Sequence, residues 1–298
     1  MKLQDFLEVC ITENKWKVID RDWLKIIAII AMTMDHIAGS FFTGGSAIWL
    51  IFRIIGRITF PLMAYMLADG FTYTRDLKKY IIRLFGFSVI SWFTFSFLET
   101  GSLLPIQLAE GNYTDYPFNR VYIPSLDKTL CICRFSVITG LLCALLSLTV
   151  WEKTEWRFPV KLLAICGLVL ITLNCDWSWI SIPMVMNFYY LRKNISAMWV
   201  AYGVLSLLYI FDFFLSSNLF APYIIGTFKP YRIGMVLVPI IIEFLYNGKK
   251  GKSGVAGQWF FYIYYPAHQL LIGFLQILFL FVNRKGAIHF LTKMCYNM

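Results

Sequence analysis

Long apolar runs with few charges recur along the chain, at roughly 24–43, 47–71, 79–99, 130–150, 159–174, 177–191, 195–215, 231–247 and 258–282. A helix rises ~1.5 Å per residue and needs about 20 apolar residues to cross a bilayer. The pattern therefore predicts an all-α polytopic membrane protein with about nine transmembrane helices (between about eight and ten) in one bundle. The segment SSNLFAPYIIGTFKP at 216–230 leaves room for a further short helix. The stretch 100–129 contains Pro and Asn and reads as a loop capping one face. The domain reading is an N-terminal segment at 1–23, one transmembrane domain at 24–283 and a short C-terminal tail at 284–298.

Basic residues between the runs orient the bundle. Arg75, Lys78 and Lys79, then Lys153 and Arg157, then Arg192 and Lys193, then Lys249, Lys250 and Lys252 all fall on one side. The positive-inside rule makes that side, and the N-terminus, cytoplasmic. Residues 1–23 mix both signs of charge without an apolar core. They read as a cytoplasmic lead-in rather than a signal peptide.

Composition supports the membrane reading. The chain is 59% hydrophobic and 18% aromatic but only 15% charged, against about a quarter charged in soluble domains. The net charge of +10 follows from loop topology and carries no nucleic-acid signal. Seven cysteines are present, and the pair Cys131 and Cys133 has no matching second pair. Neither a zinc site nor a disulfide framework is expected.

Within the runs, ionisable side chains are the exceptions that call for explanation. LKIIAIIAMTMDHIAGSFF holds Asp35 next to His36, and IWLIFRIIGRITFPLMAYMLADGF holds Arg53, Arg57 and Asp69. Charges at such depth cost several kcal/mol unless paired or facing a cavity, which makes them candidates for function. Counting the helical rise puts His36 ~18 Å from the cytoplasmic start of its helix, Arg57 ~21 Å from the cytoplasmic end of the next, and His268 ~15 Å into the last. Three helices thus bring ionisable groups to one level, close to Pro61 and Pro266.

Neighbours on a helix point about 100° apart, so Asp35 and His36 cannot face one spot. Asp35 suits pairing with Arg53 or Arg57, which leaves His36 as a base, since a neutral imidazole accepts a proton at physiological pH. The plainer alternative is an interhelical ion pair beside a packing histidine. Arg83, a turn inside the third helix, suits a phosphate-rich ligand because its fork binds phosphate oxygens bidentately. Orientation alone accounts for Arg75, Lys78 and Lys79. Glu243, inside the eighth run, calls for a basic partner.

The blocks LKIIAIIAMTMDHI, FRIIGRITFPLMAYMLADGFTYTRDLKKYIIRL and QWFFYIYYPAHQLLIG resemble the TraX family, whose named member acetylates the N-terminus of a conjugative pilin. That family is distantly similar to the family-3 membrane acyltransferases. The resemblance implies a bacterial inner-membrane acetyltransferase that uses acetyl-CoA on an amine or hydroxyl of a peptide, glycan or small molecule. It also implies His36 as the catalytic histidine, Arg83 at the CoA donor beside the Lys78, Lys79 and Arg75 surface, and a second site histidine at His268. Asp35, Arg57 and Pro61 match blocks of the family without a fixed role. In this reading Arg57 or His268 stabilises the oxyanion, through direct transfer or an acetyl-histidine. A rival class is a proton-coupled transporter or flippase that uses Asp35, His36, Arg57 and Glu243 as a relay.

Overall fold

The computed structural model describes residues 16–110, 120–211 and 228–282. Each predicted run contains helix. In chain order these are α1 (Arg21–Phe41), α2 (Ala47–Gly56), α3 (Thr59–Tyr73), α4 (Leu77–Thr100), α5 (Val137–Lys153), α6 (Phe158–Leu173), α7 (Ser181–Tyr190), α8 (Ile195–Ile210), α9 (Leu237–Ile240) and α10 (Gly254–Val282). Among the described residues, Arg21–Phe41, Ala47–Tyr73 and Leu77–Thr100 are long and apolar enough to cross a bilayer, and α6 and α8 are shorter apolar helices. Cys10, Cys295, His289, the tail at 284–298 and most of the extra helix expected at 216–230 lie outside the described residues.

Four departures from the sequence reading matter. The 47–71 run is not one helix: α2 ends at Gly56 and α3 begins at Thr59. Pro61 has no N–H to donate, and its ring clashes with the carbonyl of residue 57, so the ladder breaks there. The break leaves Arg57 at a helix end. The 231–247 run is likewise segmented, into a 3-10 turn at Pro230–Val236, the short α9 and a π turn at Ile241–Leu245. Pro239 acts there as Pro61 does in α3.

The cap at 100–129 is partly a sheet, so the fold is not purely helical. Strands β1 (Ile106–Glu110), β2 (Arg120–Ile123) and β3 (Lys128–Ile132) pair antiparallel in the order β1-β3-β2. The fifth helix therefore starts at Val137 instead of 130, because Thr129 and Cys131 alternate inward with the two-residue period of a strand. Finally, α1 begins three residues early. Asp20 caps it by accepting from the Asp22 and Trp23 amides. The preceding backbone pairs with 245–249 through Ile19 and Arg21.

Helix α5 occupies the centre. Residues 136–145 are all buried, as expected of a helix that is apolar on every side. The core around it includes Phe60, Leu62, Leu145, Leu148 and Met184, and Trp177 stacks between Phe60 (4.9 Å) and Tyr209 (5.4 Å). Helix α10 packs on α4 and α1, and α1 packs on α2 and α3. Two glycines permit close approaches beside the buried charges: a Cβ on Gly56 would overlap the Asp35 side chain, and one on Gly234 would meet the Ile54 carbonyl. Gly56→Ala is accordingly expected to destabilise the protein by about 1–3 kcal/mol, the usual range for overpacking. The check is a thermal unfolding midpoint in detergent, where an unchanged midpoint would remove Gly56 from this role.

Candidate functional site

Helix α1 presents Asp35 and His36 to different neighbours. Asp35 faces α2, where Arg53 donates to its Oδ2 at 2.9 Å and Arg57 donates to the same oxygen. Asp35 is 6% exposed and Arg57 4%, so the attraction acts with little screening by water. The guanidinium of Arg57 also lies 4.8 Å from the ring of Trp177, and that of Arg53 lies 5.0 Å from Tyr231, both cation–π contacts. Arg57 thus reaches the level expected of it through Asp35, and its recorded partners are that carboxylate and two aromatic rings.

On another face of α1, His36 Nδ1 lies 2.8 Å from His268 Nε2 with the rings parallel within 2°. His268 Nδ1 lies 3.0 Å from the Tyr264 carbonyl. A carbonyl only accepts, so Nδ1 of His268 carries the proton and its Nε2 offers a lone pair. His36 Nδ1 must then donate, which leaves Nε2 of His36 as a free lone pair. One turn away the seam repeats: Thr33 donates to the Ile29 carbonyl at 2.9 Å and so accepts from the Tyr264 hydroxyl, also at 2.9 Å. Tyr264 stacks on His268 at 5.3 Å. The α1–α10 seam therefore fixes both the orientation and the tautomer of the two histidines, and such a partner is what sets imidazole chemistry.

A cavity of about 510 Å³ runs below this pair, inside the roughly 300–1,000 Å³ range of small-molecule pockets. One end is polar and basic, with Arg21, Lys25, Lys250 and Ser253. Arg83 also lines it, with its guanidinium 5.2 Å from the Tyr262 ring and 5.7 Å from that of Tyr80. Farther along α1 and α10 the lining reaches Met32, Ile138 and Tyr265, one turn short of His36 and His268.

The basic residues divide in two groups. Arg21 is paired with Asp69, and Lys25 with Asp22 at 3.1 Å. Arg83 has no ion-pair partner among the described residues, and its Nε, shielded from water, makes no hydrogen bond there. Arg75, Lys78 and Lys79 are exposed and line no part of the cavity. Lys79 is instead bonded to Asp76, and its amide and ammonium hold that carboxyl below the ordinary range. Glu243 accepts from Trp199 Nε1 at 2.7 Å, so its recorded partner is an indole and not the cation its position called for. Arg21 and Lys250 escaped the sequence reading because each sits in a charged segment already explained by topology, and Lys25 because it stands at the very start of the first apolar run.

Comparison with known proteins now bears on this arrangement. A family model described as TraX protein matches residues 20–112, the segment that holds Asp35, His36, Arg57 and Arg83. A curated relative from Dichelobacter nodosus, named "Probable fimbrial assembly protein FimC, serogroup H1", is 30% identical over 253 residues, 84% of this chain and 92% of the relative. The chain belongs to the TraX family. No solved structure matches it. The family match ends at 112, and His268 on α10 meets His36 from 232 residues further along.

Proposed function

We propose that this TraX-family protein is an acyltransferase of the bacterial inner membrane, with its N-terminus and the basic mouth of its cavity in the cytoplasm. It takes an acetyl group from acetyl-CoA and gives it to an amine or hydroxyl. One observation carries the reading: a cavity lined by Arg21, Lys25 and Lys250, and by Arg83, which has no ion-pair partner among the described residues, reaches to within one turn of a hydrogen-bonded histidine pair. The CoA phosphates sit at Arg83 and Lys250, and the thioester extends toward Met32 and Tyr265. His36 Nε2 removes the proton from the acceptor nucleophile as it attacks the thioester carbon. The tetrahedral intermediate then collapses, the C–S bond breaks, and the proton passes to the CoA thiolate. Hydrogen bonding to His268 steadies the imidazolium formed in between.

The name of the Dichelobacter relative points to fimbrial assembly, which favours a pilin-like peptide N-terminus as acceptor over a glycan or small molecule. A transporter relay through Asp35, His36, Arg57 and Glu243 draws less support, since both carboxylates already have partners, Asp35 in two arginines and Glu243 in Trp199.

The test is titration of the purified protein in detergent with acetyl-CoA. Arg83→Ala is expected to weaken binding about 10- to 100-fold, since a hydrogen bond to a charged group contributes about 1.5–3 kcal/mol. Lys78→Ala and Lys79→Ala, which stand off the cavity, are expected to leave affinity within about twofold, the small effect usual for exposed charges. Failure of the folded wild-type protein to bind acetyl-CoA would sink the proposal.

A further inference from the structure

Helix α4 changes neighbours along one face. Ile82, Phe85, Val89 and Phe93 follow one another at helical spacing, which puts them on a single stripe, and all are exposed. A span presents such side chains to lipid. The same spacing continues to Ser96 and Thr100, and these are buried. The chain that follows α4 covers them. Ser96 Oγ lies 3.0 Å from the Ser102 carbonyl and 3.3 Å from both the Leu104 carbonyl and Cys133 Sγ. Gln107 Nε2 donates to Thr100 Oγ1 at 3.4 Å. The start of β1 and the end of β3 are thus folded back over the lipid-facing stripe of α4.

The pleat then decides which face of the sheet looks away from the bundle. Gln107, paired with Cys131, shares the inner face with Cys131 and Thr129, and the last two are buried. Alternation puts Ile106, Leu108, Leu130 and Ile132 on the opposite face, joined as the pairs Ile106–Ile132 and Leu108–Leu130. Ile106 is 49% and Leu108 56% exposed, and Leu103 and Leu104 are exposed beside them. A sheet with one face in water carries its polar residues on that face and its apolar residues inward, and here the order is reversed. Lys128 stands on the same outer face, ~13 Å along the strand from Ile132, so the face is apolar near α4 and charged at its far end.

Depth matches the boundary of a bilayer. A hydrocarbon core ~30 Å thick takes about 20 helical residues. Counted from Tyr80, the residue after Lys78 and Lys79, it ends close to Thr100. The sheet therefore begins where hydrocarbon gives way to headgroups. Open sheet edges are not tolerated deeper, because their unpaired amides and carbonyls need polar partners, and β1 and β2 are both edges. The boundary accommodates the apolar face and the polar edges together.

We propose that the three-stranded sheet is a membrane-contact element. Its face of Ile106, Leu108, Leu130 and Ile132 sits at the acyl–headgroup boundary of the leaflet opposite the basic mouth of the cavity, with Lys128 among the headgroups. Lipid is the occupant because the face overlies the exposed stripe of α4 at the level where that stripe leaves the hydrocarbon. The inference is independent of the acyltransferase reading.

The test installs a fluorescent coumarin amino acid at one position at a time in the whole protein, held in lipid nanodiscs. The positions are Leu108 on the sheet face, Val89 on the stripe of α4 and Ser125 in the exposed β2–β3 turn. Quenchers are aqueous iodide and nitroxides carried on lipid chains, either near the headgroup or near the chain end. The Leu108 probe is expected to be quenched several-fold more by the shallow nitroxide than by iodide, the Val89 probe by the deep nitroxide, and the Ser125 probe by iodide. Ile106, on the same face, carries the measurement if the Leu108 variant does not fold. Iodide quenching at Leu108 as strong as at Ser125 overturns the proposal and puts the face in water. Protection from every quencher also overturns it and shows the face covered by protein, and quenching mainly by the deep nitroxide overturns the placement at the boundary.

Discussion

Acetyl transfer is expected to fall by roughly 10²–10⁴-fold in His36→Ala, the range over which a positioned general base contributes, with acetyl-CoA affinity nearly unchanged. The separation between the two readouts follows from placement. His36 stands one turn beyond Met32 and is not part of the cavity's lining, so its loss removes the proton acceptor without removing a wall of the donor pocket. Its Nδ1 is committed to His268, which leaves Nε2 as the reactive atom. His268→Gln should therefore cost less than His36→Ala, because an amide can still accept from Nδ1. Single-turnover CoA release, measured beside equilibrium binding, decides the matter. Unchanged release in His36→Ala would make the histidine pair a packing feature of the α1–α10 seam, and a loss of binding equal to the loss of rate would move His36 into the donor pocket.

Asp35→Asn is expected to cost about 3–5 kcal/mol of stability, the penalty for removing one partner of a buried ion pair. Arg57 is 4% exposed and would keep its charge without its hydrogen-bonded carboxylate, between two aromatic rings and under the 3-10 turn that Gly234 brings close. The double variant Asp35→Asn, Arg57→Met removes both charges and is expected to recover a large part of the loss, since apolar replacement of a buried pair is often close to neutral. Arg53 is only partly buried and can reach water once freed. Unfolding midpoints of the four proteins in a double-mutant cycle supply the coupling. A cycle that closes without coupling would show that Asp35 and Arg57 are neighbours without mutual dependence.

Much of this site was legible because helix geometry is local. The 100° step between Asp35 and His36 already separated an ion-pairing residue from a base, and the observed bonds to Arg53 and Arg57 on one side and His268 on the other follow that division. Counting rise along α1 and α10 put His36 and His268 within ~3 Å of one level, and they touch. The sheet at 106–132 was not legible: KTLCI alternates over five residues only and runs into the apolar start of α5, so a continuous helix fitted equally well. The basic mouth was missed for another reason. A lysine that orients a helix and a lysine that faces a ligand have the same composition, and Arg21, Lys25 and Lys250 differ from Lys78 and Lys79 only in which way they face.

By itself the sequence determined a helical membrane chain with costly polar residues at one depth in α1, α2 and α10, because hydropathy and helical rise are properties of each segment alone. Only the tertiary structure decided which of those residues meet. It set His268 against His36 and thereby the tautomer, gave Asp35 both arginines, and placed Arg83 in a cavity without an ion-pair partner among the described residues. These depend on distances between helices, which packing sets: at Gly56 and Gly234 a single Cβ would separate the elements that carry Asp35 and Arg57, and no periodicity along one helix records that constraint.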